Sequence, residues 1–120
     1  MRELGGGSII NLSSIAWRYG PEEFPVYGVA KAGVIGLTKV LARAFGGDNI
    51  RVNAIEPGAV MTERQRRLWY NEESVDAIKG KQVLKEELFG ADVARMALFL
   101  AADDSRMITK QSFTVDAGLR

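Results

Sequence analysis

Residues 26–55, VYGVAKAGVIGLTKVLARAFGGDNIRVNAI, carry a helix signal followed directly by a strand signal. Val26, Val29, Ala30, Gly33, Val34, Leu37, Leu41 and Phe45 recur at three- and four-residue intervals, which is one face of an α-helix. Gly46-Gly47 then reads as the helix stop. Ile50-Arg51-Val52-Asn53-Ala54-Ile55 alternates as a strand does, and Pro57-Gly58 closes it with a turn. The stretch predicts a helix over 26–45 and a strand over 50–55.

Upstream, Gly5-Gly6-Gly7 opens the apolar run Ile9-Ile10-Asn11-Leu12, which ends in Ser13-Ser14. Apolar, β-branched residues bounded by glycine and serine predict a buried strand. Residues 15–25 hold Gly20, Pro21 and Pro25 and are expected to be a loop. Downstream, residues 62–88 are polar and are expected to form an excursion of one or two short helices. Ala91-Asp92 can begin a helix running to about Ala102, with Val93, Ala94, Ala97, Leu98 and Leu100-Ala101 on its buried face. Phe113-Thr114-Val115 predicts a third strand, closed by Asp116-Ala117-Gly118.

Strands alternating with helices imply βαβ crossovers and a parallel sheet covered on both faces. Three strands are few for such a sheet, and a first strand as apolar as 9–12 wants a neighbour on each side. The expectation is that the chain is part of a larger fold.

Composition narrows the chemistry. The 120 residues contain no cysteine and no histidine, so disulfides, zinc sites built on those residues, and Ser-His-Asp or Cys-His catalysis are excluded. Acid/base chemistry has to come from Asp, Glu, Lys or Tyr. The formal net charge is +1, which gives no reason to expect a nucleic-acid or anionic-membrane partner. The longest uninterrupted apolar stretch, Met96 to Ala102, is far short of a membrane span, and the N-terminus lacks the apolar core of a signal peptide. A cytoplasmic α/β protein is expected. Arg64, Arg66 and Arg67 beside Trp69 and Tyr70 resemble a single-strand nucleic-acid patch, but Glu63, Glu72 and Glu73 largely cancel their charge.

Tyr27 and Lys31 lie four residues apart, hence one turn apart on one helix face. A phenol is ordinarily a poor base at neutral pH, and a nearby ammonium favours its ionised form. Such a pair builds a general base without histidine, although it also occurs by chance on many helices. Ser14 adds a hydroxyl at the C-terminal end of a parallel strand, where α/β sheets bind ligands. Pro57-Gly58 ends the next strand, and a glycine there admits close backbone approach to a flat ligand. Thr62 follows with another hydroxyl.

Ser14, Tyr27-Gly28-Val29-Ala30-Lys31 and Arg51-Val52-Asn53-Ala54-Ile55-Glu56-Pro57-Gly58 together resemble the catalytic half of the short-chain dehydrogenase/reductase family. The resemblance implies a doubly wound Rossmann fold that binds NAD or NADP. It implies Tyr27 as general acid/base, Lys31 as ribose ligand and activator of the phenol, and Ser14 as orienter of the substrate oxygen. Pro57, Gly58, Val60 and Thr62 would contact the nicotinamide end of the cofactor.

Ser14-Ile15-Ala16-Trp17, Pro25-Val26-Tyr27, Met61-Thr62-Glu63-Arg64-Gln65 with Trp69, and the segment from Ala94 to Thr109 are similar to the aldose 1-dehydrogenase branch. Its members oxidise arabinose, xylose or galactose at the anomeric carbon. Trp17 is then a substrate-binding candidate, because an aromatic face suits the apolar C–H face of a sugar. Packing beneath the loop explains Trp17 equally well.

The family's glycine-rich turn for the pyrophosphate, its selector of NAD over NADP and its relay asparagine have no counterpart here. By that comparison the chain begins just before the fifth of seven strands. Residues 1–120 are expected to be the C-terminal catalytic half of one Rossmann domain, inactive alone, with 62–88 as a substrate lid. Lys110 and Ala117 stand where glycine is usual, and the substitution at Ala117 is mild if its φ is negative. The resemblance implies a homo-oligomer, dimer or tetramer, for the complete protein. The competing expectations are another short-chain reductase, acting on 3-oxoacyl thioesters or hydroxysteroids, and a non-catalytic fragment that serves only as an oligomerisation module.

Overall fold

The computed structural model describes residues 1–20 and 22–119. Pro21, one of the expected loop breakers, lies outside the described residues. Three strands, β1 (Gly7–Leu12), β2 (Ile50–Pro57) and β3 (Ser112–Val115), form one parallel sheet in the order β1-β2-β3. The five helices described are α1 (Ala16–Tyr19), α2 (Pro25–Phe45), α3 (Glu63–Leu68), α4 (Glu72–Lys81) and α5 (Gly90–Ala101).

β2 is the central strand, and Val52, Asn53, Ala54, Ile55 and Glu56 within it are wholly buried. Successive side chains of a strand face opposite ways. Ile50 and Val52 pack with Ala42 and with Leu41, Phe45 and Ile9, so α2 covers that face. Arg51 and Asn53 point the other way. Arg51 bonds to Ser105 and to the Ala102 and Ile108 carbonyls, and Asn53 donates to the Ile108 carbonyl at 2.9 Å. These bonds fix the segment after α5 beneath the sheet. In α2, Thr38 is buried and accepts from Asn11 Nδ2 at 2.9 Å, a polar link between the helix and β1.

The expected loop over 15–25 contains one helical turn, α1. α2 ends at Phe45 with Gly46 as its C-cap, as the glycine pair predicts, but Gly46 is not left-handed. Its φ is −59°, the chain continues through a 3-10 turn over Gly46–Asp48, and Asn49 supplies the left-handed residue at φ 56°. Asparagine tolerates that region because its short side chain can bond locally. The 62–88 excursion holds two helices, capped by Thr62 and Asn71, whose side chains accept from the amides of Gln65 and Ser74 at 3.1 and 2.8 Å. α5 starts at Gly90, and Asp92 accepts from the Phe89 amide at 2.9 Å. Lys110 and Ala117 both have positive φ, 66° and 55°, so both occupy backbone that favours glycine and the condition for a mild change at Ala117 is not met.

Among the described residues, one helical stretch, Pro25–Asp48, is by length and composition apolar enough to cross a membrane. Its Thr38 and Ala42 are buried against the sheet, which accounts for part of that apolarity. Val26, Val29 and Val40 on the same helix remain largely exposed.

Candidate active site

The site candidates gather where β1 and β2 end. Ser14 lies two residues past the end of β1, is half-buried, and its Oγ accepts from the Ala16 amide at 3.1 Å. Its neighbour Ser13 is buried and donates from Oγ to the Lys31 carbonyl at 2.7 Å. Tyr27 sits in the first turn of α2 and is 46% exposed. Lys31 is one turn further on. Its ammonium donates to the Leu12 carbonyl at 2.9 Å and lies 5.5 Å from the centre of the Tyr27 ring. The pair spaced in sequence is therefore a pair in space, docked against the strand end that carries Ser14.

The end of β2 joins them through the backbone. The Ser13 amide donates to the Ile55 carbonyl at 2.8 Å and the Ile15 amide to the Pro57 carbonyl at 3.1 Å. The Gly58 amide donates to the Val115 carbonyl at 2.9 Å, and a Cβ on Gly58 would stand 2.8 Å from Cα and Cβ of Asp116. Glycine is needed here because two backbones touch, not because of backbone freedom. Val60 and Thr62 lie further out. Val60 pairs with Leu88, and the Met61 amide donates to the Leu88 carbonyl at 2.7 Å. The Thr62 hydroxyl is engaged in capping α3.

Trp17 is half-buried. Its indole N–H donates to Glu56 Oε2 at 2.7 Å, and the Arg18 guanidinium lies 4.6 Å from its ring centre. One polar edge and one neighbouring cation are thus engaged within the protein, consistent with packing beneath the loop.

The excursion returns to this region. Trp69, at the end of α3, meets Phe24 edge to face at 5.6 Å, immediately before α2. Tyr70 is half-buried. Burial first, and the nearby Tyr27 phenol second, hold its ionisation above the ordinary value of 10.0. The second phenol beside Tyr27 comes from the excursion, which sequence spacing could not place.

Glu56 is the residue that sequence reading passed over. It is wholly buried, and it accepts from Trp17 Nε1 at 2.7 Å and from Arg18 Nε and Nη2 at 3.0 and 2.8 Å. Burial alone pushes its carboxyl up. Hydrogen bonds from Arg18, Ser112 and Trp17, with the charge of Arg18, outweigh that and leave it below the ordinary carboxylate value. The signal was a carboxylate inside the apolar run 50–57.

The Tyr27/Lys31 pair and Ser14 thus lie at the C-terminal ends of parallel strands, where Rossmann-type sheets bind their ligands. The family model described as enoyl-(acyl carrier protein) reductase matches residues 1–120. The chain belongs to this family, the short-chain dehydrogenases/reductases.

Among relatives, the chain is 52% identical over 119 residues to a probable galactose dehydrogenase of Rhizobium meliloti, covering 99% of this chain and 46% of the relative. It is 43% identical over 120 residues to the D-xylose 1-dehydrogenase of Caulobacter vibrioides, covering 100% and 48%. A solved 7 alpha-hydroxysteroid dehydrogenase complexed with NADH and 7-oxo glycochenodeoxycholic acid superposes with a TM-score of 0.93 at 29% identity, covering 98% of this chain and 46% of that one. The chain spans about half the length of the curated relatives it matches.

Proposed function

We propose that this chain serves the oxidation of an aldose at its anomeric hydroxyl, with NAD or NADP as hydride acceptor. The observation that carries the reading is the docking of Lys31 against the Leu12 carbonyl. It places the ammonium beside Tyr27 at the strand end that bears Ser14. The sugar dehydrogenases among the relatives support the substrate class.

The donor set fits the nicotinamide end of the cofactor. Lys31 spends one N–H on Leu12 and keeps two for a vicinal diol. Tyr27 is open to solvent on one side, and Pro57 and Gly58 present backbone at the neighbouring strand end. Val60 and Thr62 extend that edge. When bound, the cofactor supplies the electrophilic carbon that accepts the hydride.

Ser14 orients the substrate hydroxyl by hydrogen bonding to its oxygen. Tyr27 accepts the hydroxyl proton while the C1–H bond yields its electron pair, and the sugar leaves as the lactone. Lys31 stabilises the charge developing on the phenol oxygen. Trp17 offers the part of its ring left exposed to the sugar.

Residues 62–88 act in this reading as the substrate lid, which meets the start of α2 through the Phe24–Trp69 contact. The exposed apolar residues of α2 support a homo-oligomer, dimer or tetramer, of a cytoplasmic enzyme whose partner in reaction is a small sugar. A second reading takes that same apolar face alone and makes the chain an oligomerisation module. Aldose-dependent reduction of NAD or NADP by the full-length protein, lost in Tyr27→Phe, tests the first reading. Turnover of acyl thioesters or hydroxysteroids with none of aldoses would overturn it.

A further inference from the structure

The segment after Ser14 is tied to β2 at its start, where Ile15 is buried and its amide donates to the Pro57 carbonyl at 3.1 Å, and its remaining hold comes from side chains. α1 is four residues long, and so short a helix does not sustain itself. Its anchor is Glu56, buried at the end of β2. The carboxylate takes the Trp17 indole N–H and two guanidinium N–H groups of Arg18, while that guanidinium stacks on the Trp17 ring at 4.6 Å. Ser14 in turn receives the Ala16 amide from the same helix. Glu56 has no bond to Ser14 and acts through α1.

We propose that Glu56 is a positioning residue. By fixing Trp17 and neutralising Arg18, it gives the Ser14 side of the site a rigid, uncharged aromatic wall that selects neutral polyhydroxylated ligands over anionic ones. The inference rests on the sugar-oxidising reading. A guanidinium without a partner is a strong bidentate ligand for carboxylate. The Arg18 side chain is one-third exposed, so its charge would be felt at the surface if Glu56 did not cancel it. Cancelled, it leaves the indole as the dominant feature, and an apolar ring face suits the C–H face of a sugar.

The test compares D-galactose with D-galacturonate, one neutral and one anionic. Relative binding to this chain is measured by saturation-transfer NMR, which needs no turnover. The wild type prefers galactose. Glu56→Gln keeps the shape, removes the charge and frees Arg18, and the preference is expected to fall by about tenfold. The double variant Glu56→Gln/Arg18→Gln is neutral again and restores it. A preference unchanged within about twofold in Glu56→Gln, or not restored in the double variant, overturns the inference.

If Glu56→Gln does not fold, Arg18→Gln decides, since a loss of preference there also overturns it. A second readout needs no variant. The Trp17 indole proton exchanges slowly and that of exposed Trp69 rapidly, and equal rates count against the wall. Selective binding without aldose oxidation would sink the proposed activity alone. Aldose oxidation with selectivity indifferent to Glu56 would sink this inference alone.

Discussion

The Lys31 ammonium is bonded to the Leu12 carbonyl at 2.9 Å, so a side chain of α2 is tied to the last residue of β1. The position of the cation beside Tyr27 is set by a strand as much as by the helix that carries it. Under the proposed function, Tyr27→Phe in the full-length protein is expected to lower kcat/KM for an aldose by roughly 10²–10⁴-fold, the range for removing a general base. Lys31→Met removes the ammonium and its link to Leu12 and is expected to lose a similar factor. NAD(P)H absorbance measures both, with far-UV circular dichroism to confirm the fold.

Glu56 makes stability depend on acid. Its carboxyl ionises below the ordinary 4.5 in the folded chain, so the folded state favours the carboxylate. The stabilisation is present above the unfolded value and is lost as pH falls through the folded one. Thermal melts at descending pH are expected to show Glu56→Gln less stable than wild type at neutral pH, with a shallower loss on the acid side. Glu56→Ala, which leaves the buried end of Arg18 without its partner, is expected to cost about 2–3 kcal/mol.

Tyr70 acts at the opposite end of the scale. Its ionisation is raised above 10.0, so the folded chain favours the neutral phenol and loses stability as pH rises through the folded value. Tyr70→Phe is expected to flatten the alkaline side of the stability profile. In a tyrosinate absorbance titration, the same variant removes a component that titrates above the ordinary range.

Gly58→Ala is expected to destabilise the chain by roughly 1–3 kcal/mol, because the new methyl would meet main-chain carbon that cannot rotate away. The clash is with Asp116 at 2.8 Å, on the far side of the β2–β3 junction. Urea unfolding reads it as a lower midpoint with the slope unchanged.

Lys110→Gly and Ala117→Gly are expected to stabilise, each by about 0.5–1 kcal/mol. Left-handed backbone costs ordinary residues roughly 1–2 kcal/mol, and the added chain entropy of glycine offsets part of the gain. Asn49→Gly, at a residue that tolerates φ 56°, is expected to gain less. Differential scanning fluorimetry on the three variants gives the order.

Much of this architecture was legible in sequence. The 3.6-residue period of 26–45 and the apolar runs at 9–12, 50–55 and 113–115 gave elements within one or two residues of α2, β1, β2 and β3. Those signals come from burial, and burial is periodic. The end of α2 at Phe45, with Gly46 as its cap, was legible, whereas the left-handed residue that turns the chain is Asn49, which the glycine signal does not mark. At the site, the four-residue spacing of Tyr27 and Lys31 was visible because one helix carries both. Glu56 with Trp17 and Arg18, and Tyr70 with Tyr27, were not. Each joins residues about 40 positions apart through tertiary packing, which no local period records.

The excursion between β2 and α5 leaves and returns at one point, where Val60 and Met61 pair with Leu88. Within it lie two capped helices and the Arg66–Glu87 ion pair, and it is tied to its surroundings by Trp69 on Phe24 and by the Val83 and Leu84 amides, which both donate to the Ala117 carbonyl at 3.0 Å. Because closure entropy grows only slowly with loop length, such a bridged insertion can change size without disturbing the sheet. Length can therefore vary most freely between those fixed points, and a transplanted segment would need to bring partners for Phe24 and Ala117 as well as for Leu88.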